Sequence, residues 1–177
     1  MPKTNGQYQP VDFFIALLSD DGTQSGVTNF NADYSVTSVE AFFQAPAGSI
    51  HEITELQIAI AAGAKINQGD YGNVTGPLTV GVDVRATLNG TDVSLLNTVL
   101  KTNHDLINFG GSTSSQVIDF AGTADTLTTS FKAVDFAPGP RSTALRLNGD
   151  LGDRVRIVLS DNFTPINQHT FLIRGFS

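Results

Sequence analysis

Between Arg154 and Leu159 the chain reads RVRIVL, with Val155, Ile157 and Leu159 alternating against Arg154, Arg156 and Val158. A two-residue period is the side-chain spacing of a strand with one face in a core. Phe171 and Ile173 repeat it in the closing run. The whole stretch from 145 to 176, LRLNGDLGDRVRIVLSDNFTPINQHTFLIRGF, therefore reads as strands joined by a polar loop. It predicts a C-terminus tied into a sheet, with no tail left for targeting or nucleic-acid binding.

The same pattern runs upstream. Residues 12–18 (DFFIALL), closed by Ser19-Asp20-Asp21-Gly22, read as a buried strand and a turn, with a short amphipathic helix as the alternative. Residues 34–44 (YSVTSVEAFFQ) read as a strand that Ala45-Pro46-Ala47-Gly48 ends, since no strand interior tolerates that sequence. In 50–60 (IHEITELQIAI), Leu56, Ile58 and Ile60 oppose Glu55, Gln57 and Ala59. The phase breaks between Ile53 and Leu56, which predicts a bulge near Thr54. Residues 61–77 carry glycines, Asn67, Asp70 and Asn73 without a period, and a loop of that length is expected to make contacts or serve function.

Residues 78–87 show the cleanest alternation, with Leu78, Val80, Val82, Val84 and Ala86 inward. Asn89-Gly90 follows, the preferred centre of a type I′ hairpin because both central residues need positive φ, and the apolar run resumes at Val93, Leu95 and Leu96. Residues 101–111 are mixed. Residues 116–120 and 126–134 are strand-like, the latter with Leu127, Thr129, Phe131 and Ala133 on one side; Pro138 and Pro140 then interrupt any element. Residues 143–147 lead into the turn Asn148-Gly149-Asp150. Leu-Asn-Gly occurs at 88–90 and at 147–149, which two similar hairpin turns explain. About eight strands at spacings of roughly 8 to 15 residues predict an all-β, single-domain antiparallel β-sandwich over 12–177. A jelly roll is preferred over an immunoglobulin-like topology. Residues 1–11, with Pro2, Gly6 and Pro10, read as an extended N-terminal arm, with a disordered terminus as the alternative.

Composition narrows function. The net charge of −7 and ten scattered basic residues speak against nucleic acid as a partner. No apolar run approaches the roughly 20 residues that span a bilayer, and MPKTNGQYQP lacks a signal-peptide core, so no membrane partner and no secretory route are expected. Without cysteine there is no disulfide, thiolate metal site or cysteine nucleophile. Charged residues make up only 15% of the chain, and its polarity comes from Thr, Ser, Asn, Gln and Gly, which suit strands and tight turns.

Candidate chemistry is sparse. His51, His104 and His169, each inside or beside a predicted strand, lack the local spacing of metal ligands. Asp20-Asp21-Gly22, the acids of 150–153 and Asp161-Asn162 match no calcium loop and read as turn formers. Glu52 and Glu55 fall on opposite faces of a regular strand, which disfavours a glycosidase pair. The sequons Asn73-Val-Thr75, Asn89-Gly-Thr91 and Asn162-Phe-Thr164 matter only in a secretory lumen. No nucleophile elbow, phosphate loop, zincin motif or dinucleotide fingerprint is present. The expectation is a non-enzyme with no catalytic, cofactor-binding or metal-binding residues and no cofactor.

The C-terminal stretch carries a further signal. A leucine-rich strand, a Gly-Asp turn, a strand ending near Asp161-Asn162 and a final His169-x-Phe171 strand ending in Gly175-Phe176 resemble the C-terminal half of small structural proteins of tailed phages. Phe42-Phe43-Gln44-Ala45-Pro46-Ala47-Gly48, residues 53–60 and Gly69-Asp70-Tyr71-Gly72-Asn73 resemble their N-terminal half. The blocks span about two thirds of the chain. The resemblance implies a jelly-roll-like virion protein, assembled in the host cytoplasm, that decorates or cements the head. Its implied partners are the major capsid protein or other virion subunits, with the chain itself a homo-oligomer and with the arm and the 61–77 loop against the capsid. The alternative is a receptor- or glycan-binding module of a tail or fibre, which the absence of Trp and the presence of only three Tyr make less favourable.

Overall fold

The computed structural model describes residues 12–96, 98–109, 125–132 and 143–177. The expected arm at 1–11, the strand at 116–120 and the Pro138–Pro140 break lie outside these residues. Nine strands are seen among the described residues: β1 (Phe13–Leu17), β2 (Val39–Gln44), β3 (Ile50–Ala61), β4 (Asp83–Leu88), β5 (Thr91–Ser94), β6 (Thr126–Lys132), β7 (Leu145–Asn148), β8 (Arg154–Leu159) and β9 (Gln168–Phe176), with one α-helix, α1 (Asn103–Phe109), and a single 3-10 turn at Gly149–Leu151. They form two antiparallel sheets. In the first the order is β1-β9-β3, with β6 and β7 end to end along the far side of β3; in the second it is β2-β8-β4-β5. Taking β6 and β7 as one interrupted strand, the chain winds between the sheets as a jelly roll.

Alternation explains the core. Ala16, Ile53, Leu56, Ile58, Ile60, Leu127, Phe131, Leu145, Leu147, Phe171 and Ile173 of the first sheet meet Ala41, Phe43, Val84, Ala86, Val155, Ile157 and Leu159 of the second in one buried cluster. Each strand contributes every second side chain, so the other half faces outward. At one end of the sandwich Phe14 packs on Phe43 and on His51, with ring centroids 5.7 and 4.7 Å apart.

The expected hairpin is present: Asn89 and Gly90 have φ of +49° and +72°, and β4 pairs β5 across them. The bulge near Thr54 is present too, where β3 slips against β9 between Ile53 and Glu55. It corrects one inference. The extra residue restores Glu55 to the side of Glu52, so both acids face outward, opposite Phe176 and Arg174 of β9.

Four elements depart from expectation. Strand β1 is an edge strand rather than a buried one, and Phe13 and Ile15 are more than half exposed. The run 34–44 is strand only from Val39, because the Asp33 carboxylate accepts from Ser35 N–H and Oγ and holds that backbone in a turn. The run 78–87 is strand only from Asp83. There Asp161 accepts from the N–H groups of Thr79, Val80 and Gly81, Gly81 turns the chain at φ +97°, and Val80 points out. The mixed run 101–111 holds α1, opened by a reciprocal cap: Thr102 Oγ1 accepts from Asp105 N–H, and Asp105 accepts from Thr102 N–H. His104 is therefore helical.

Candidate functional site

The two outer faces differ in chemistry. On the second sheet, Arg85 of β4 bonds Asp83 and Asp92, Arg156 of β8 bonds Asp92 and Glu40, and Arg154 reaches Glu40. Three cations thus meet three acids in a row across the strands. The Arg85 and Arg156 bonds hold Asp92 down at about 2. Half-exposed pairs of this kind add little stability, about 0–1 kcal/mol each. What they do is discharge the face.

At the corner of that sheet a groove of about 470 Å³ runs between 21–24 and 42–47. Its ring, Phe42, is the one aromatic on this face among the described residues. The Arg154 guanidinium lies over it at 5.2 Å, and a Cβ on Gly22 would come within 2.2 Å of its edge. Asp21, on the groove wall, is saturated by Ser19 Oγ, Thr23 N–H and Oγ1, and Ser25 Oγ, which lower its pKa. The groove offers neither a free stacking platform nor a free carboxylate.

The first sheet is different where β1 borders β9. Phe13, Ile15 and Leu17 stand on the outer face at 59%, 54% and 37% exposure, and Phe176 of β9 joins them, its ring edge-on to Phe13 at 6.0 Å. Alongside the stripe Arg174 of β9 stands opposite Ile15 and, with Lys132 of β6, flanks Glu55. Burial pushes the Glu55 carboxyl up, but hydrogen bonds from Lys132 and Ser130 and the two positive charges outweigh it, so it sits below its ordinary value.

The backbone of β1 is open as well. Asp12 and Leu18 bond to Ser177 and Phe171 of the β9 side, which sets the even residues facing β9 and the odd ones facing away. Among the described residues, the N–H and C=O groups of Phe13, Ile15 and Leu17 have no partner. Ser19 closes the run, since its N–H and C=O are bonded to Phe42. Native proteins usually blunt such an edge with charge, proline or a bulge. Over 13–17 there is none of these.

The histidines singled out from sequence lie elsewhere and apart. His169 is wholly buried. Because the Phe30 carbonyl can only accept, Nδ1 carries the proton toward it at 3.1 Å, and Nε2 accepts from the Tyr71 hydroxyl at 3.0 Å. Desolvation lowers its pKa to about 4 and raises that of Tyr71. His51 sits between Phe14 and Phe43, its pKa lowered by burial, and His104 is exposed on α1 beside Asn108. Among the described residues no three His, Cys, Asp or Glu side chains gather as metal ligands.

The acids do turn work. Asp153 accepts from Asn89 N–H at 2.6 Å and from Asn148 N–H at 2.9 Å, one oxygen each, so the two Leu-Asn-Gly sites converge on one carboxylate. The 61–77 loop is anchored inward: Asn103 bonds Gly72 and Asn67, and Tyr71 lies under His169. Sequence reasoning missed the β1 stripe. Its sign was an apolar run without alternation, FFIAL, on a strand next to the chain end.

No family model and no curated protein matches the chain. Among solved structures, a non-crystalline-cellulose-specific carbohydrate-binding module, CBM28, aligns over 93% of this chain and 74% of its own at 9% identity and a TM-score of 0.32. A likeness of that degree carries no argument about ligand or partner.

Proposed function

We propose that the chain is a non-enzymatic structural subunit of a tailed-phage particle, which decorates or cements the head by docking the β1 flank of its sandwich on neighbouring virion subunits. The observation that carries this reading is the stripe of Phe13, Ile15, Leu17 and Phe176 beside an unblunted strand edge. A contiguous exposed apolar patch rimmed by polar groups is the mark of a protein contact. The outer face of the other sheet, neutralised within itself, and the covered Phe42 ring offer no comparable surface. The sequence resemblance to phage structural proteins supplies the setting.

The test is binding of the purified protein to undecorated heads, followed by sedimentation or cryo-electron microscopy. Saturable binding at a fixed stoichiometry is expected, weakened at least tenfold by Phe13→Asp. Absence of saturable binding by folded wild-type protein overturns the reading.

A further inference from the structure

We infer that the partner seated on the β1 edge is a second copy of this chain, paired antiparallel about a two-fold axis through Ile15. The inference rests on the docking reading above and names its partner. The register follows from the backbone. Along β1, among the described residues, Phe13, Ile15 and Leu17 present free N–H and C=O groups, and in an antiparallel pair those of one copy must face those of the other. Centring the axis on Ile15 satisfies all three: Phe13 opposes Leu17 of the copy, Ile15 opposes its counterpart, and Leu17 opposes Phe13. Each pair is of the hydrogen-bonded kind and exchanges two bonds. Shifting by one residue points every free group at one already bonded to β9. Shifting by two leaves one of the three without a counterpart among the described residues.

Side chains obey the same axis. In β1 the residues with free backbone are also those on the outer face, so pairing places Phe13, Ile15 and Leu17 of both copies in one apolar ridge, flanked on each side by Phe176 and by Arg174, whose charge is paired with Glu55. Isologous contact requires a self-complementary patch, and a palindromic row of apolar residues is one. The area sets the strength. The four side chains expose on the order of 400 Å² per copy, about half of the ~800 Å² per partner of a stable complex. Pairing in dilute solution is accordingly weak, and it becomes complete where copies are held close together, as on a particle surface.

The chain has no cysteine, so introduced ones report the register directly. Cα atoms of a hydrogen-bonded antiparallel pair stand about 5.5 Å apart, within the disulfide range of ~4.4–6.8 Å. On mild oxidation of concentrated protein, Ile15→Cys is expected to form a linked dimer at least tenfold faster than Val36→Cys, a control that is 93% exposed. Phe13→Cys and Leu17→Cys are expected to link to each other in a mixture and poorly to themselves. Sedimentation of the cysteine-free chain should show mass rising toward two copies with concentration, and Ile15→Lys, folded by circular dichroism, should stay monomeric. Ile15→Cys linking no faster than the control, together with a monomeric wild type, overturns the inference. If that protein still binds heads saturably, the second-copy partner is wrong and the docking function stands; if it does neither, both fall.

Discussion

His169 shows what a single residue does in this fold. Its ring joins β9 to Phe30 and Tyr71, packed among Phe30, Phe163 and Phe171, and it is neutral because burial opposes the charged form. The folded pKa of about 4 lies below the ~6.5 of an unfolded histidine, so the unfolded chain binds more protons between those values. This stabilisation is present in full above pH ~6.5 and is lost as pH falls toward 4, a swing of about 3 kcal/mol. Urea unfolding from about pH 7 to about pH 5 should therefore show a stability loss that His169→Gln flattens. His51, shifted the same way, leaves a residual slope of the same sign. Tyr71→Phe removes the donor to Nε2 and should cost about 1–3 kcal/mol at neutral pH, read as a lower urea midpoint. None of this was legible in the sequence, since a lone His-x-Phe on a strand carries no sign of the tyrosine 98 residues away.

At the scale of elements, alternation was legible and interruption was not. The core faces of β3, β6 and β8 fall where period two places them, because in a buried sheet the side-chain pattern and the strand are one signal. Strands β2 and β4 begin late, because Asp33 and Asp161 draw N–H groups out of the ladder; Asp33 does so through a local turn with Ser35 that the β-branched run 34–44 masked, whereas Asp161 acts across 82 residues and leaves no local mark. Helix α1 had a readable sign in Thr102-x-x-Asp105, too short to outweigh its mixed surroundings. Two substitutions test this level. Gly175 faces the bulge of β3, where an added Cβ would meet the Glu52 carbonyl oxygen at 2.0 Å, backbone against backbone. Gly175→Ala should destabilise by about 1–3 kcal/mol, seen in thermal melts. Asp153→Asn keeps the shape of the group joining the β4–β5 hairpin to the turn that carries the chain from β7 in one sheet to β8 in the other, but leaves one oxygen to accept two N–H groups. A loss of about 1–3 kcal/mol is expected by denaturant titration.

For the molecule as a whole, the net charge of −7 makes two copies repel at low salt. The apolar stripe itself is uncharged, so salt screens the repulsion of two like bodies while sparing what draws them together. Self-association should strengthen as salt rises from about 0.01 M to about 0.15 M, measured by sedimentation at fixed protein concentration. A mainly ionic contact would weaken instead. Sheet count and sandwich class were legible because they follow from many short alternating runs. The exposed apolar flank of β1 was not, because FFIAL is equally apolar whether its second face meets a core or lies open; only strand order distinguishes the two. That order also bears on load. Asp12 and Ser177 are bonded to each other, so the start of β1 and the end of β9 stand side by side. Tension applied through the ends would peel β1 from β9 one rung at a time, whereas force delivered across the flank is shared by all rungs together.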